Sequence, residues 1–508
     1  MSRYFFDIET NGFLDVVHVI HSLVLIDMDT GEMTSCTDRP GYMPIGSGLR
    51  MLAHADEVCG HNIIKYDIPV IEKLYPHLWK NFSGKVTDTL IMTRLFFPEI
   101  RDADFRVREN QLKRGVEPTL PGQRIGSHAL EAWGYRLGAM KGDYSAEMKS
   151  KGLDPWAAWN KDMQDYCEQD VIVTQRLYQM MATKFDIADE WRLALDIEHR
   201  FQQAIHAQET HGFRFDVKAA EKLEAELRVE RAKLEDELSG LFEPWWVALN
   251  SFTPAKPVKR FVQHEHGAVT RTVKKDTGET YSHTQKNGKT VIRKVKVTSE
   301  QTGYYETLDP ECPYRKVELR VFNPSSRQHI EDRLRKLYGW QPQEFTPSGL
   351  AKIDDEVLSD LPYPPAKALA KYFMYDKRLG QLADGKQAWL KNVQAGRIHG
   401  RVNTLGAITG RCTHSHPNLA QVPSIENAKG VVPYGADCRA LFVPDEGHVL
   451  IGCDASGLEL RCLAHFMKDG GRYANIVLNG KKEDGTDIHS QNQKAAGLPS
   501  RSNAKTFI

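Results

Sequence analysis

The sequence predicts a mixed α/β (α+β) protein of about three domains, and three observations carry that prediction. Two apolar runs near the N-terminus, Arg3 to Ile8 (RYFFDI) and His18 to Met28 (HVIHSLVLIDM), read as neighbouring strands. The middle, Ala188 to Leu241, is dominated by long helical runs, with Glu221 to Leu241 rich in Glu, Lys, Arg, Leu and Ala at helical spacing. Further on, Val449-Leu450-Ile451, backed by Gly452 and Cys453, reads as a buried central strand that delivers Asp454 at its end.

Composition narrows the function classes. Lys plus Arg equals Asp plus Glu at 67 each, so affinity for a polyanion must come from local segregation of charge. The eight cysteines are scattered without a C-x-x-C pair, which reads as reduced thiols in a cytoplasm. There is no signal peptide, and no apolar run approaches the roughly 18 residues of a membrane span. The expectation is a soluble protein of the cytoplasm with no membrane partner.

In the first strand Asp7 and Glu9 are two apart and share a face, where like charges repel. Alone, the pair fits an exposed edge as well as a metal site. Val58 to Asn62 reads as another strand end, followed by Ile63 to Asp67. Asp88, in VTDTL, ends a further strand and serves either as support or as a plain helix cap, because Thr89 onward turns helical. Between Phe97 and Gly126 the chain is polar and carries Pro98, Pro118 and Pro121, the pattern of a surface loop. Ser127 then starts a helix whose Leu130, Trp133 and Leu137 face a core. In the helix predicted over Lys161 to Met180, Tyr166 and Asp170 are four apart and lie on one face.

The helices of the middle break at His211-Gly212-Phe213 and resume over Ser326 to Tyr338 and Pro365 to Gln394. Between the two sets, Lys256 to Lys296 holds eleven Lys or Arg against three acids, a net of about +8. Tyr281 to Thr298 reads as a hairpin turning at Asn287-Gly288, with Val291, Val295 and Val297 on one face. A solvated basic loop and a binding surface both fit it.

In the C-terminal part, after GRVNTLGAITGRCTHSHPNLAQVP (400–423), Ala455-Ser456-Gly457 turns the chain. Leu458, Leu460, Cys462, Leu463 and Phe466 suit a helix packed on the Val449–Ile451 strand. Asp454 alone fits a helix cap as well as a metal ligand. Arg501 and Lys505 are i and i+4, so they are either two solvated cations or one face that a triphosphate would neutralise. Ile508 closes an apolar run with no Gly, Pro or C-cap.

Three motifs in order, D-x-E at Asp7, N-x-x-x-Y-D at Asn62 and Y-x-x-x-D at Tyr166, resemble those of tyrosine-type DEDD 3′–5′ proofreading exonucleases. DASGLELR from Asp454 resembles the first carboxylate motif of family A DNA polymerases, close to the replicative type of short-tailed bacteriophages. The resemblance runs over essentially the whole chain. It implies a ribonuclease H-like exonuclease domain (1–187), a thumb region (188–396) with the basic insertion at about 253–316, the first part of a palm (397–485) and the start of fingers (486–508), the right-hand polymerase being truncated.

The resemblance also assigns roles. Asp7, Glu9, Asp67 and Asp170 would hold two Mg²⁺ ions, for which Mn²⁺ substitutes, and Tyr166 would orient the attacking water. Asp454 and the Ala455 carbonyl would hold metal in the polymerase site, where Glu459 would reject ribonucleotides. His489, Arg501 and Lys505 would meet the nucleotide phosphates, while Arg411 and Gln421 would follow the minor groove. The implied partners are primer–template DNA, dNTPs, a thioredoxin-like processivity factor at the basic insertion and a replicative helicase–primase. The family's second palm carboxylate lies beyond Ile508, which predicts no primer extension by this chain alone. Two other readings stand beside it: a stand-alone 3′–5′ exonuclease with DNA-binding appendages, and a non-catalytic DNA-binding or factor-recruiting module.

Overall fold

The structure, a computed structural model, describes the chain except Met1, Asn81, residues 140–143, Glu265, Gly267, residues 285–289, Glu311, residues 428–429, Ser456, residues 468–469 and Ile508; side chains of 273–297 and 506–507 also lie outside the description. Two units emerge, one made of residues 1–226 with 378–508 and the other of residues 227–377.

The first unit begins with β1 (Arg3–Thr10), β2 (Ile20–Asp27) and β3 (Met33–Cys36), an antiparallel ladder. Helix α1 (Ile45–Ala53) returns the chain so that β4 (Glu57–Gly60) lies parallel to β1. Past α2 (Asp67–Leu74) and α3 (Pro76–Trp79), β5 (Lys85–Asp88) pairs parallel with β4. The strand order is β3-β2-β1-β4-β5, which makes β1 the central strand. There follow α4 (Thr89–Phe96), α5 (Ile100–Lys113), α6 (Leu130–Arg136), α7 (Tyr144–Ser150) and α8 (Lys161–Lys184).

Because β1 is central, its alternation sends side chains to two covered faces. Phe6 and Ile8 join Leu23, Leu25, Leu49 and Leu52 in the core beneath α1. Phe5 points the other way, to a core shared with Val24, Ile26 and the Cys167 and Val171 side chains of α8. A third cluster ties α4 and α6 to α8 through Met92, Phe96, Trp133 and Leu177, with the Phe96 and Phe185 rings stacked at 4.2 Å.

The predicted surface loop from Phe97 to Gly126 contains a fourteen-residue helix, α5. Its sequence lacks an apolar stripe because only Ile100 and Asp104 are buried. Asp104 accepts a bidentate pair from Arg136 at 2.8 and 3.1 Å, so an ion pair anchors this helix instead. Helix α6 starts at Leu130 rather than Ser127, whose hydroxyl accepts from the Ala129 amide at 3.2 Å.

Helix α9 (Arg192–His211) stops at Gly212, where φ is +65° and a Cβ would lie 2.8 Å from the His399 ring. After β6 (Phe213–Arg214) the chain enters α10 (Val217–Leu241).

The second unit holds β7 (Trp245–Phe252), β8 (Val258–Gln263), β9 (Val269–Thr284), β10 (Thr290–Leu308) and β11 (Tyr314–Arg320), then α11 (Arg327–Tyr338), α12 (Asp355–Ser359) and most of α13 (Pro364–Leu379). Its core packs Leu238 of α10 and Phe242 just past its end against Ile330, Leu334, Leu369 and Tyr372. The basic segment lies in a three-stranded ribbon ordered β8-β10-β9, of which the expected hairpin is the distal part. The Asn287-Gly288 turn lies outside the described residues. Helix α13 ends at Leu379 in a wider turn, well short of Gln394.

Back in the first unit, β13 (Arg397–Ile398) pairs with β6 on one side and β12 (Val393–Gln394) on the other, and β14 (Arg401–Asn403) pairs with β15 (Thr413–Ser415). The remaining helices are α14 (Gly435–Ala440), α15 (Leu458–Phe466), α16 (Arg472–Asn479), α17 (Ile488–Ala496) and α18 (Arg501–Phe507). The predicted buried strand at Val449–Ile451 does not form. Those residues are 78%, 58% and 87% exposed, and α15 buries only Ala464. An apolar run becomes a central strand only between partner strands, and no described strand pairs with this one. No helix among the described residues is long and apolar enough to cross a membrane.

Candidate active site

Asp7 and Glu9 follow Phe5 in the β1 alternation and therefore project to the face that α8 covers. The register places Asp7 opposite Val24 and Glu9 opposite Ser22, before a bulge at Thr10. On α8, Cys167 and Asp170 face the same side and are buried. Ligand atoms of Asp7, Glu9 and Cys167 all lie within 4.8 Å of one another. Asp67 joins the group from the start of α2, where its Oδ1 accepts from the Ile8 amide at 3.2 Å. That single bond reaches the main chain between the two β1 acids.

Electrostatics report the same convergence. Burial, with repulsion from Asp88 and Asp170, raises the Asp67 pKa to about 7 although the Ile8 amide stabilises its charge. The Cys167 thiol is pushed well above its usual range by burial first and then by Asp7, Glu9, Asp170 and Asp67. Cys167 is therefore a thiol here, and the hard oxygens are the ligands on offer. Four crowded carboxylates fit a divalent cation, which would offset both desolvation and repulsion.

A second set of contacts fixes these groups. Asp88 caps α4 through the Leu90 amide at 2.9 Å and also accepts from the Asn62 and Ile64 amides at 2.8 and 3.2 Å. It thereby holds the turn at Asn62, where φ is +67°, that leads into Asp67. Its own amide donates to His199 Nε2 at 2.7 Å. Tyr66 donates to the Gly12 carbonyl at 2.6 Å and pins the segment after Glu9. Tyr166 packs in a triangle of rings, 5.7 Å from Tyr144 and 6.4 Å from Trp156. Tyr144 is itself held by Asn160 and the Pro155 carbonyl, both at 2.7 Å.

The structure thus brings Asp7, Glu9, Asp67, Tyr166 and Asp170 to one side of one sheet. It does not do so for the residues further along. Asp454 and Ala455 lie on the exposed extended segment before α15. Arg411 and Glu459 pair with each other, both largely exposed. Gln421 is exposed, its carbonyl accepting from Gln381 Nε2 at 3.0 Å. Arg501 is held by Asp487 at 2.7 and 3.1 Å, and Asp487 also caps α17 through the His489 amide at 3.2 Å. The Arg501 guanidinium keeps the Asp487 carboxyl far below the usual range. Lys505 is exposed, one turn beyond Arg501.

Sequence reasoning passed over three of these supports. Cys167 stands between Tyr166 and Asp170, and its apolar helical spacing marks it as buried. Asp487 directly precedes an apolar helix start, the signal of a cap. His199 carries no local signal, because its bond to Asp88 spans 111 residues.

Residues 311–506 match the model of DNA polymerase family A. The chain is 38% identical to the DNA-directed DNA polymerase of Escherichia phage T7, over 99% of this chain and 74% of that protein. The same figures hold for the DNA-directed DNA polymerase of Enterobacteria phage T3. DNA polymerase I of Chloroflexus aurantiacus is 33% identical over 33% of this chain and 17% of its own length. On the extent and identity of the phage matches, the chain belongs to the family A DNA polymerases.

Proposed function

We propose that the chain is a DNA-directed DNA polymerase of the phage T7 and T3 type that carries its own 3′–5′ proofreading exonuclease. The observation that supports the nuclease is the convergence of Asp7, Glu9, Asp67 and Asp170 beside the Tyr166 ring. Asp7, Glu9 and Asp170 would hold one divalent ion, Mg²⁺ with Mn²⁺ able to substitute, and Asp7 with Asp67 a second. Bound there, such ions activate water and neutralise charge on a phosphodiester. The chain's own part is positional. Ile8 fixes Asp67, Asp88 fixes the turn before it, and the Tyr144 and Trp156 rings fix Tyr166, whose hydroxyl orients the attacking water.

In the polymerase part, Asp454 and the Ala455 carbonyl would hold metal, and Glu459 would exclude a 2′-hydroxyl. His489, Arg501 and Lys505 take the triphosphate, while Arg411 and Gln421 follow the minor groove. Primer–template DNA and dNTPs are the substrates. The ribbon of β8 to β10 docks a thioredoxin-like processivity factor, with a helicase–primase as the partner at the fork.

The exposure of the Asp454 segment favours a second reading, a stand-alone 3′–5′ exonuclease with DNA-binding appendages. A cleavage assay tests the part common to both. With Mg²⁺ the chain shortens single-stranded DNA from its 3′ end, and Asp7→Ala with Glu9→Ala abolishes the activity. A double variant that cleaves at the wild-type rate removes the nuclease reading.

A further inference from the structure

Ile100, Ala103, Asp104, Val107, Arg108 and Gln111 recur at helical spacing on one face of α5, and that face lines a cavity of about 430 Å³. Leu120 and Ile125 of the turns that follow, with Met180 of α8, complete an apolar wall. Small-molecule sites span about 300–1,000 Å³, so the volume is that of a ligand pocket. Ile100 also lines the cleft beside the acids, where Asp7, Asp170 and His128 stand, so the two cavities share a wall.

The polar groups of this lining have donors to spare. Trp133 is 4% exposed, and its Nε1 is buried without a hydrogen-bond partner. Arg136 gives Nε and Nη2 to Asp104, while its Nη1 is likewise buried and unpartnered. Buried donors left unpaired are costly, and native structures hold few of them. Arg108 and Lys184 also line the cavity, and neither pairs with an acid among the described residues. Lys184 lies instead over the Phe97 ring at 5.1 Å. Asp104 is the one acid of the lining among the described residues, and Arg136 and the Gly126 amide already engage it. Two cations therefore stand at an apolar cavity without counter-charge.

We propose that this cavity binds a small aromatic anion, a planar ring system carrying one carboxylate or sulfonate. The rings lie against Val107, Leu120 and Met180. The anionic group accepts from Trp133 Nε1 and Arg136 Nη1, with Arg108 and Lys184 supplying the charge. An uncharged ring system would leave both cations bare. A nucleotide's sugar and phosphates would bring hydrated groups against an apolar wall. The inference depends on neither the nuclease nor the polymerase reading.

Isothermal titration calorimetry of the whole chain with naphthalene-2-carboxylate tests it. One site is expected, with Kd on the order of 0.1 mM, and the neutral naphthalene-2-carboxamide binds about tenfold more weakly. Ala103→Trp, at an exposed position on the lining face of α5, fills the cavity and abolishes binding. Trp133→Phe keeps the ring, removes the donor and weakens binding about fivefold. Arg108→Met with Lys184→Met weakens binding of the acid about tenfold and leaves that of the amide unchanged, a split that general loss of structure does not produce. Equal affinity for acid and amide overturns the anion site, as does acid binding that Ala103→Trp and the double variant leave unaltered. Absence of saturable binding at millimolar ligand overturns it as well.

Discussion

Asp67 shows how one carboxylate is tuned by its neighbours. It is buried, bonded to the strand that carries the other acids, and titrates near 7. His128, across the cleft, is pushed the opposite way, to about 4, by burial first and then by Arg94 and Arg136. Its folded pKa lies below the unfolded value near 6.5, so the unfolded chain takes up the proton first. The stability it contributes is present above about pH 6.5 and is lost as the pH falls towards 4. Asp67 works in the reverse sense over part of that range, so the comparison must be made against a His128 variant. Wild type should lose on the order of 1–2 kcal/mol more than His128→Gln between pH 7 and 5, as read by denaturant unfolding. Parallel pH profiles would show that His128 is not held neutral. The acids were legible because D-x-E and Y-x-x-x-D put pairs on one face of a strand or a helix. The supports were less so: Lys65 to Glu209 and Asp88 to His199 join residues more than a hundred positions apart.

Among the elements, β1 and α8 were readable from apolar period, since each has a buried face of ordinary kind. Helix α5 was not, because an ion pair rather than a stripe anchors it. The run at Val449 misled for the converse reason: its pattern is that of a central strand, yet no described strand flanks it. Lys65 clamps β14 by donating to Glu209 at 2.8 Å and to the Val402 carbonyl at 2.9 Å, which gives a direct element-level prediction. Lys65→Met leaves the partly buried Glu209 with one amide partner in place of two donors. Loss of about 1–3 kcal/mol is expected, with faster amide exchange at Val402 to Thr404. Unchanged exchange there would mean that β15 alone holds the strand.

On the scale of the whole molecule, neutral net charge coexists with a basic segment of about +8 between 256 and 296. Deleting residues 253–316 should leave cleavage of short oligonucleotides within about twofold and flatten the salt dependence of long-duplex binding. It should also abolish any thioredoxin binding. Unaltered salt slope and factor binding after the deletion would return the ribbon to a solvated loop. The grouping of residues 378–508 with the first 226 was not legible in the sequence. That grouping depends on contacts such as Lys65 with Val402, which no local pattern announces.

The metal site proposed at Asp7, Glu9, Asp67 and Asp170 is tested without any turnover by direct counting of bound Mn²⁺ by electron paramagnetic resonance. Wild type should bind ions that Asp7→Ala with Glu9→Ala loses, at unchanged thermal stability or better, since repulsion between the acids is relieved. Equal Mn²⁺ binding by the two proteins would contradict the claim.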